Sequence, residues 1–504
     1  MFSKVLIANR GEIAVRVMRS LREMGIATVA VYSEADRQAL HVRMADEAIC
    51  VGPAASNESY LVMEKILAAA KQTGAEAIHP GYGFLSENAE FARACAEAGI
   101  KFIGPSPSAI EAMGEKTRAR SVMEEAGVPL VPGTPEAIED ATVALKAAEE
   151  MGFPVLAKAS AGGGGKGMRR VDRADQFVDA FEGARREALS AFGNGDVYVE
   201  KFVLNPKHVE IQVLADSFGN TIHLFERDCS VQRRHQKIIE ETPCPVLSEE
   251  TRQAMGEVAV QAAKAVDYEG AGTVEFLLDT DENFYFLEMN TRLQVEHPIT
   301  EMITGVDLVK WQVKIAAGEE LTLRQEDLTR WGAAVECRIY AEDPEDNFRP
   351  APGKITRIEA PAGPGVREDG GVYSGAVVPV MYDPMISKLI TWGADRDEAI
   401  ARMRRALDEY VINGVTTNRE FHLEVLEHPD FVGGKYDTHF VPRWLEERDK
   451  PAATQKKFAE LAAVIATHRK DQELAQRSES AGGGAGPRNR WKTIGRMRQL
   501  GKGW

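Results

Sequence analysis

The chain has 504 residues, room for about three domains of roughly 150 residues each. Its 44% hydrophobic and 27% charged residues are the balance of an ordinary globular protein, which excludes collagen-like, coiled-coil and wholly disordered architectures. With 77 acidic against 61 basic residues the net charge is −16, so the surface as a whole is not built to attract nucleic acid or anionic lipid.

An apolar strand is predicted over residues 5–8, then a turn at Gly11 and a helix to about Met24. A strand over 26–32, a helix over 60–71 and a strand over 75–79 continue the rhythm, which predicts a parallel sheet wrapped by helices. Asn9-Arg10-Gly11-Glu12 has one glycine where a dinucleotide fingerprint needs three, so NAD binding is not expected. From about Lys116 the character changes. A helix over 116–126 leads through Pro129, Pro132 and Pro135 into a second helix. Strands are predicted over 154–159, 168–171, 197–202, 208–215, 222–226, 273–278 and 284–289, an α+β region rich in antiparallel pairs. A third region, about 331–444, mixes short strands (334–339, 353–359) with a helix near 397–410. Beyond it the chain is polar and Ala-rich. Residues 451–504 carry 11 Lys/Arg against 4 Asp/Glu, a net of +7 that leaves −23 on the body before them. Within that tail 458–466 could form a short amphipathic helix, 481–486 reads as a flexible linker, and 488–498 combines charge with Trp491, Ile494 and Met497 at helical spacing. Disorder is open to it, and so are docking on an acidic partner such as a partner subunit and contact with nucleic acid.

Cys50, Cys95, Cys229, Cys244 and Cys337 are scattered and odd in number, without zinc or redox spacing, and read as free thiols in a reducing compartment. No apolar run suits a signal peptide or approaches the ~20 residues of a membrane span, so a cytoplasmic protein is expected.

Four features carry chemistry. Lys158-Ala-Ser-Ala-Gly-Gly-Gly-Gly-Lys-Gly167 lies between two strands, and its glycines let several backbone N–H groups turn toward one anion. It is not a P-loop, because Met168-Arg169 follows where Lys-[Ser/Thr] is required. A flexible linker is the competing reading, weakened by Lys158 at the end of an apolar strand. The second feature is a hairpin with Glu275 on one strand, Glu288 and Asn290 on the other and a turn over 279–283. Alternation puts Glu288 and Asn290 on one face, and folding brings Glu275 beside them. Two carboxylates and an amide oxygen suit Mg²⁺ better than they suit an exposed face, where like charges would repel. Third, Asn290-Thr-Arg-Leu-Gln-Val-Glu-His-Pro298 would point Arg292, Gln294 and Glu296 one way if extended. An Arg fork holds a planar oxyanion at two points and a nearby carboxylate could take its proton; a structural Arg–Glu pair fits equally well. Fourth, residues 226–237 crowd donors into an acidic body, and by themselves read as a solvated face more readily than as a polyanion site.

Taken together these segments resemble the biotin carboxylases of the ATP-grasp superfamily. The match runs in order through Ile7-Ala-Asn-Arg-Gly-Glu-Ile13, His79-Pro-Gly-Tyr-Gly-Phe-Leu-Ser-Glu-Asn88, the glycine loop, 226–237, 288–298, Glu336-Cys-Arg338, Tyr382-Asp-Pro-Met-Ile-Ser-Lys388 and Asn413-Gly-Val-Thr-Thr-Asn418, over about residues 1–446. It implies an α/β and α+β multidomain chain. A Rossmann-like N-terminal domain would span 1–115, an ATP-grasp domain 116–325 with a mobile glycine-loop lid at about 130–204, and a C-terminal biotin carboxylase domain 331–446, before a basic, partly disordered tail over 447–504. By the same resemblance Lys116 and Lys158 hold ATP phosphates under Gly164 and Gly165; Glu200, Lys201, Phe202 and Val203 hold the adenine; His208, Gln232 and His235 hold the ribose and phosphates. Glu275, Glu288 and Asn290 would bind Mg²⁺ (or Mn²⁺) at the nucleotide, and Lys237, Arg292, Gln294 and Val295 would hold bicarbonate for Glu296 to deprotonate. Arg338 would stabilise the enolate of biotin, with Tyr82 nearby.

The implied reaction is ATP- and bicarbonate-dependent carboxylation of biotin through carboxyphosphate, the first half-reaction of an acetyl-CoA- or propionyl-CoA-type carboxylase. The alternative is the corresponding component of a pyruvate carboxylase. Carrier domains present a lysine between two methionines, and the sequence has no Met-Lys dipeptide and no segment that reads as a carboxyltransferase. The expected partners are therefore a biotin carboxyl carrier protein and a carboxyltransferase subunit, in a homodimer or larger complex, with biotin a substrate on another chain and neither membrane nor nucleic acid involved. Two rivals remain: another ATP-grasp carboxylate–amine ligase, which has no need of Arg292, Glu296 and Arg338 together, and a nucleotide-binding scaffold without turnover. Ala161 and Lys166 stand where relatives often have Gly and Arg, and the connection from Glu275 to Glu288 is one residue longer than in some relatives, which a turn can absorb.

Overall fold

The computed structural model describes residues 1–447 apart from 135–136, 160–167 and 193–194. The expected tail elements at 458–466, 481–486 and 488–498 lie outside the described residues.

Strands Lys4–Ile7 (β1), Ala27–Ser33 (β2), Glu47–Gly52 (β3), Ala77–His79 (β4) and Lys101–Phe102 (β5) form a parallel sheet in the order β3-β2-β1-β4-β5. A central strand of such a sheet is buried on both faces, and β1 accordingly divides its side chains between two cores. Val5 and Ile7 pack with Ile13, Val17 and Leu21 of the helix Gly11–Glu23 (α1), whereas Leu6 packs with Ile66 and Phe91 on the other side. The Asn9–Glu12 turn is a fastener between segments. Asn9 Nδ2 donates to the carbonyls of Pro80 and Tyr82, both at 2.7 Å, and Arg10 grips Asp36 with two bonds of 2.6 and 2.8 Å while its guanidinium lies 4.2 Å from the Tyr382 ring centre.

Val155–Ala159 (β6), Met168–Val171 (β7) and Val197–Lys201 (β8) form a small antiparallel sheet, β7-β6-β8, with a core of its own that includes Phe177 and Phe181. The largest sheet is antiparallel. Lys207–Ala215 (β9), Thr221–Arg233 (β10), Gln236–Thr242 (β11), Gly270–Leu278 (β12), Phe284–Asn290 (β13) and Ala333–Tyr340 (β14) join Val366–Gly370 and Met385–Gly393 in the order β13-β12-β9-β10-β11-β14-(385–393)-(366–370). Along β9, Val209, Ile211 and Val213 enter a core with Val274 and Phe276 of β12 and with Met255 and Ala259 of the helix Glu249–Lys264. His208, Glu210 and Gln212 alternate with them on the opposite face, and they too are buried.

Three expectations are corrected here. The strand expected over 222–226 continues to Arg233 and pairs with β11, so residues 226–232 are buried in the sheet, not a solvated face. The strand expected over 353–359 is two short pieces: Gly353–Lys354 pairs with Val377–Val378, and Arg357–Glu359 with Val411–Asn413. The hairpin from Glu275 to Glu288 is irregular in its strand and not in its turn alone, because Glu275 pairs with Glu288 but Phe276 with Phe286, leaving Leu287 as a bulge.

Glu12 is buried where α1 meets the third region: Gly371 lies against its backbone, where a Cβ would come within 2.5 Å of the Glu12 nitrogen. Burial pushes its carboxyl up to about 7 from an ordinary 4.5, against the pull of Lys388. A carboxyl raised on folding binds more protons folded than unfolded between those values, so its contribution to stability falls as pH rises through that window. Glu12→Gln should therefore flatten the decline in melting temperature from pH 5 to 7; the same slope as the wild type would contradict it.

Candidate active site

The polar face of the large sheet converges on Lys237, at the start of β11. Its ammonium donates to Glu210 of β9 at 2.5 Å, Glu275 of β12 at 2.7 Å and Glu296 at 2.7 Å. Glu296 occupies the N-cap position of the helix His297–Thr304, yet its side chain does not cap that helix. It turns into the site, where its second oxygen accepts from Arg338 Nη2 of β14 at 3.0 Å. Arg338 Nε in turn donates to Glu240 at 2.6 Å. Glu275 accepts from Asn290 Nδ2 at 2.9 Å and Gln294 Nε2 at 2.7 Å, and His208 Nε2 lies 2.9 Å from it. Beneath them Arg227, wholly buried, donates to Glu210 at 2.5 Å and to Gln294 Oε1 at 2.8 Å.

Burial alone would drive these carboxyls to their neutral forms. Burial does raise Glu296, but Lys237, Arg338 and Arg227 outweigh it and hold the carboxyl far below its ordinary range. Glu275 is likewise pushed up by burial and pulled well below by Lys237 and His208. Burial opposes the charge on Lys237 too, and the three carboxylates override it, so its ammonium titrates well above the usual lysine range. At Glu240 burial, helped by the Glu296 carboxylate, outweighs Arg338 and Lys237 and pushes the carboxyl up to about 7. Glu275, Glu296 and Lys237 are thus mutually dependent charges that stay ionised because each has partners.

Residues 290–298 are not the extended chain the spacing suggested. The segment leaves β13, turns at 295–296 and enters the helix His297–Thr304. Gln294 and Glu296 are nevertheless both buried on the Lys237 cluster, while Arg292, half-buried, donates to Asn290 Oδ1 and Glu87 Oε2, both at 2.9 Å. In the hairpin Glu275 stands opposite Glu288 and Thr273 opposite Asn290. Carboxylate and amide oxygens on adjacent strands are a hard donor set, and it fits Mg²⁺ at a phosphate.

Lys158 on β6 reaches to 3.6 Å from Glu200 on β8, which also accepts from Arg120 at 3.1 Å. Lys201 donates its ammonium to the carbonyls of Gly152 and Phe153 at 2.7 and 3.4 Å, so only its backbone is left to face a base. Phe202 lies under the Arg170 guanidinium at 4.6 Å, and Val203 follows it beyond the strand. Gln232 is buried opposite Lys237 in the register, whereas His235 sits exposed on the two-residue turn between β10 and β11 with a positive φ of 66°. Tyr82 is half-buried, its ring centre 6.0 Å from Lys388 Nζ. The backbone of Lys116 begins a helix, Lys116–Glu125, but its side chain, with Gly164 and Gly165, lies outside what is described. Sequence reading passed over Glu210, Arg227, Glu240 and Lys388. A signal for Glu210 was present, because it alternates with His208 and Gln212 along an otherwise apolar strand.

An antiparallel sheet with ionised groups on one face, a small glycine-linked sheet and a paired-carboxylate hairpin define an ATP-grasp ligase. Consistently, residues 115–324 match the family model of the carbamoyl-phosphate synthase L chain ATP binding domain. Residues 1–110 match the biotin carboxylase N-terminal domain and 336–443 the biotin carboxylase C-terminal domain. The chain is 57% identical over 442 residues to biotin carboxylase 1 of Bacillus subtilis (strain 168), covering 88% of this chain and 98% of that one. It is 53% identical over 480 residues to a pyruvate carboxylase subunit of Methanothermobacter thermautotrophicus, covering 95% of each. Among solved structures it is similar, with a TM-score of 0.80 and 50% identity over 89% of this chain and 100% of the other, to the biotin carboxylase domain dimer of Hydrogenobacter thermophilus 2-oxoglutarate carboxylase in complex with MgADP, ADP and bicarbonate. The chain belongs to the biotin carboxylase family. It is an ATP-dependent ligase that carboxylates biotin, using ATP with Mg²⁺. Among the described residues no helix is long and apolar enough to cross a membrane.

Proposed function

We propose that this chain carboxylates biotin borne by a separate carrier protein, in the cytoplasm and within a homodimer or larger complex, as the first half-reaction of an acyl-CoA carboxylase. The observation that carries the reading is Glu296 held between Lys237 and Arg338 with Gln294 alongside. In this reading Lys237, Arg292, Gln294 and the Val295 N–H hold bicarbonate, and Glu296 takes its proton as the oxygen attacks the γ-phosphorus of ATP. Bicarbonate also draws Lys237 and Arg338 toward its own charge, which loosens their hold on Glu296 and lets that carboxylate act as a stronger base. The bond from γ-phosphorus to the bridging oxygen breaks and ADP leaves. Mg²⁺ held by Glu275, Glu288 and Asn290 supplies positive charge to the phosphate oxygens. Lys116 and Lys158 meet the same charge from the protein, with Gly164 and Gly165 closing over the phosphates, His208, Gln232 and His235 at the ribose and phosphates, and the 200–203 backbone at the adenine. Carboxyphosphate then releases CO₂ and phosphate, the phosphate takes the N1 proton of biotin, and the Arg338 guanidinium stabilises the enolate that attacks CO₂, with Tyr82 beside it. The site needs water excluded while carboxyphosphate lasts.

The final acceptor binds elsewhere, in a carboxyltransferase. A pyruvate-directed complex is the second reading, favoured by the 53% identity to the Methanothermobacter pyruvate carboxylase component over 95% of both chains. The test is ADP release by the full chain: it should require bicarbonate and be stimulated by free biotin. Turnover indifferent to biotin would overturn the proposal.

A further inference from the structure

Three buried polar groups take no part in the chemistry above: Glu12 of α1, His297, and Lys388 on the strand Met385–Gly393. Lys388 has no exposed side-chain surface. Its ammonium donates to the Val295 carbonyl at 2.9 Å and lies 3.3 Å from Glu12, and its strand neighbour in register is Arg338. His297 Nδ1 lies 2.7 Å from the Gln294 carbonyl; a carbonyl only accepts, so Nδ1 carries the hydrogen. Burial, reinforced by Lys388, keeps the His297 ring neutral.

A trans peptide unit is planar, and its N–H points opposite to its C=O. Anchoring the Gln294 carbonyl therefore sets the direction of the Val295 N–H. Anchoring the Val295 carbonyl sets the Glu296 N–H and the root of the side chain beyond it. A wholly buried ammonium is unfavourable to place and adds little stability over a packed methionine, so one directed at a single loop carbonyl is better explained by the loop.

We propose that Lys388 and His297 are positioning residues for bicarbonate, holding the Gln294 and Val295 carbonyls from behind so that the Val295 N–H and the Glu296 carboxylate face the anion. Glu12 steadies Lys388, so the N-terminal sheet region, the 294–297 turn and the C-terminal strand meet at this one ammonium. The inference rests on reading residues 292–296 as the bicarbonate site.

The test is steady-state ATP turnover of the full chain with free biotin, varying bicarbonate and ATP separately. Lys388→Met is compared with Lys388→Met/Glu12→Gln, which also removes the carboxyl left without its cation, and with His297→Leu. Each should raise the KM for bicarbonate about tenfold or more while the KM for ATP stays within about twofold. A purely structural role would lower the melting temperature and the active fraction but leave the bicarbonate KM unchanged, and that result overturns the proposal. Arg292→Ala separates the two layers. If it too leaves the bicarbonate KM unchanged, the site assignment fails; if it raises the KM and the others do not, this inference alone fails.

Discussion

Glu296→Gln should reduce bicarbonate-dependent ATP turnover by about 10²–10⁴-fold, the range general-base catalysis supplies, while ATP still binds. Glutamine keeps the length and one acceptor oxygen but has no basicity and presents an NH₂ where a carboxylate oxygen now accepts. In the resting site Glu296 accepts from Lys237 at 2.7 Å and from Arg338 at 3.0 Å. Whichever way the amide is turned, one of those cations meets a donor. The damage falls on the oxyanion pocket, since the groups proposed for the adenine, Glu200 to Val203, belong to the end of β8 and the chain after it. Equilibrium ATP binding should therefore move by less than about threefold, and turnover should not be restored by saturating bicarbonate. Loss of ATP affinity with residual turnover intact would contradict the base assignment.

The hairpin was legible because everything it needs is local: two strands, a turn and a period of two bring Glu275 opposite Glu288. The start of α1, β7 and β13 could be read for the same reason. Residues 226–232 misled because a crowd of polar groups reads as a solvated face, and chain outside the segment covers it: Lys207 on Asp228, Arg252 on Glu226, Gln294 and Thr300 on Arg227. The turn at 295–296 was hidden likewise. Nothing within 290–298 tells that Lys388, nearly a hundred residues on, will hold the Val295 carbonyl and bend the chain out of the extended form. Periodicity finds faces; it does not find the partners that allow a charged face to be buried.

Lys237→Met should be the most damaging single change at the site, to stability as well as to turnover. It strips a shared cation from Glu210, Glu275 and Glu296 at once, and all three are buried. Removing one partner from a buried ion pair costs on the order of 3–5 kcal/mol, and here three acceptors lose theirs together. The sign of the pH dependence identifies the cause. In the wild type Glu275 and Glu296 are held below their ordinary values, so they add stability above the unfolded carboxylate range that is lost as pH falls through it. Without Lys237 only part of the compensation is left, Arg338 and Arg227 on Glu296 and His208 on Glu275, against undiminished burial, which then raises each carboxyl and makes the folded state favour the protonated form more than in the wild type. The gap in melting temperature between wild type and variant should therefore widen from pH 5 to pH 8, and bicarbonate-dependent turnover should be lost throughout. A gap of equal size at both ends of that range would mean that Lys237 fills space and does not hold the three acids ionised.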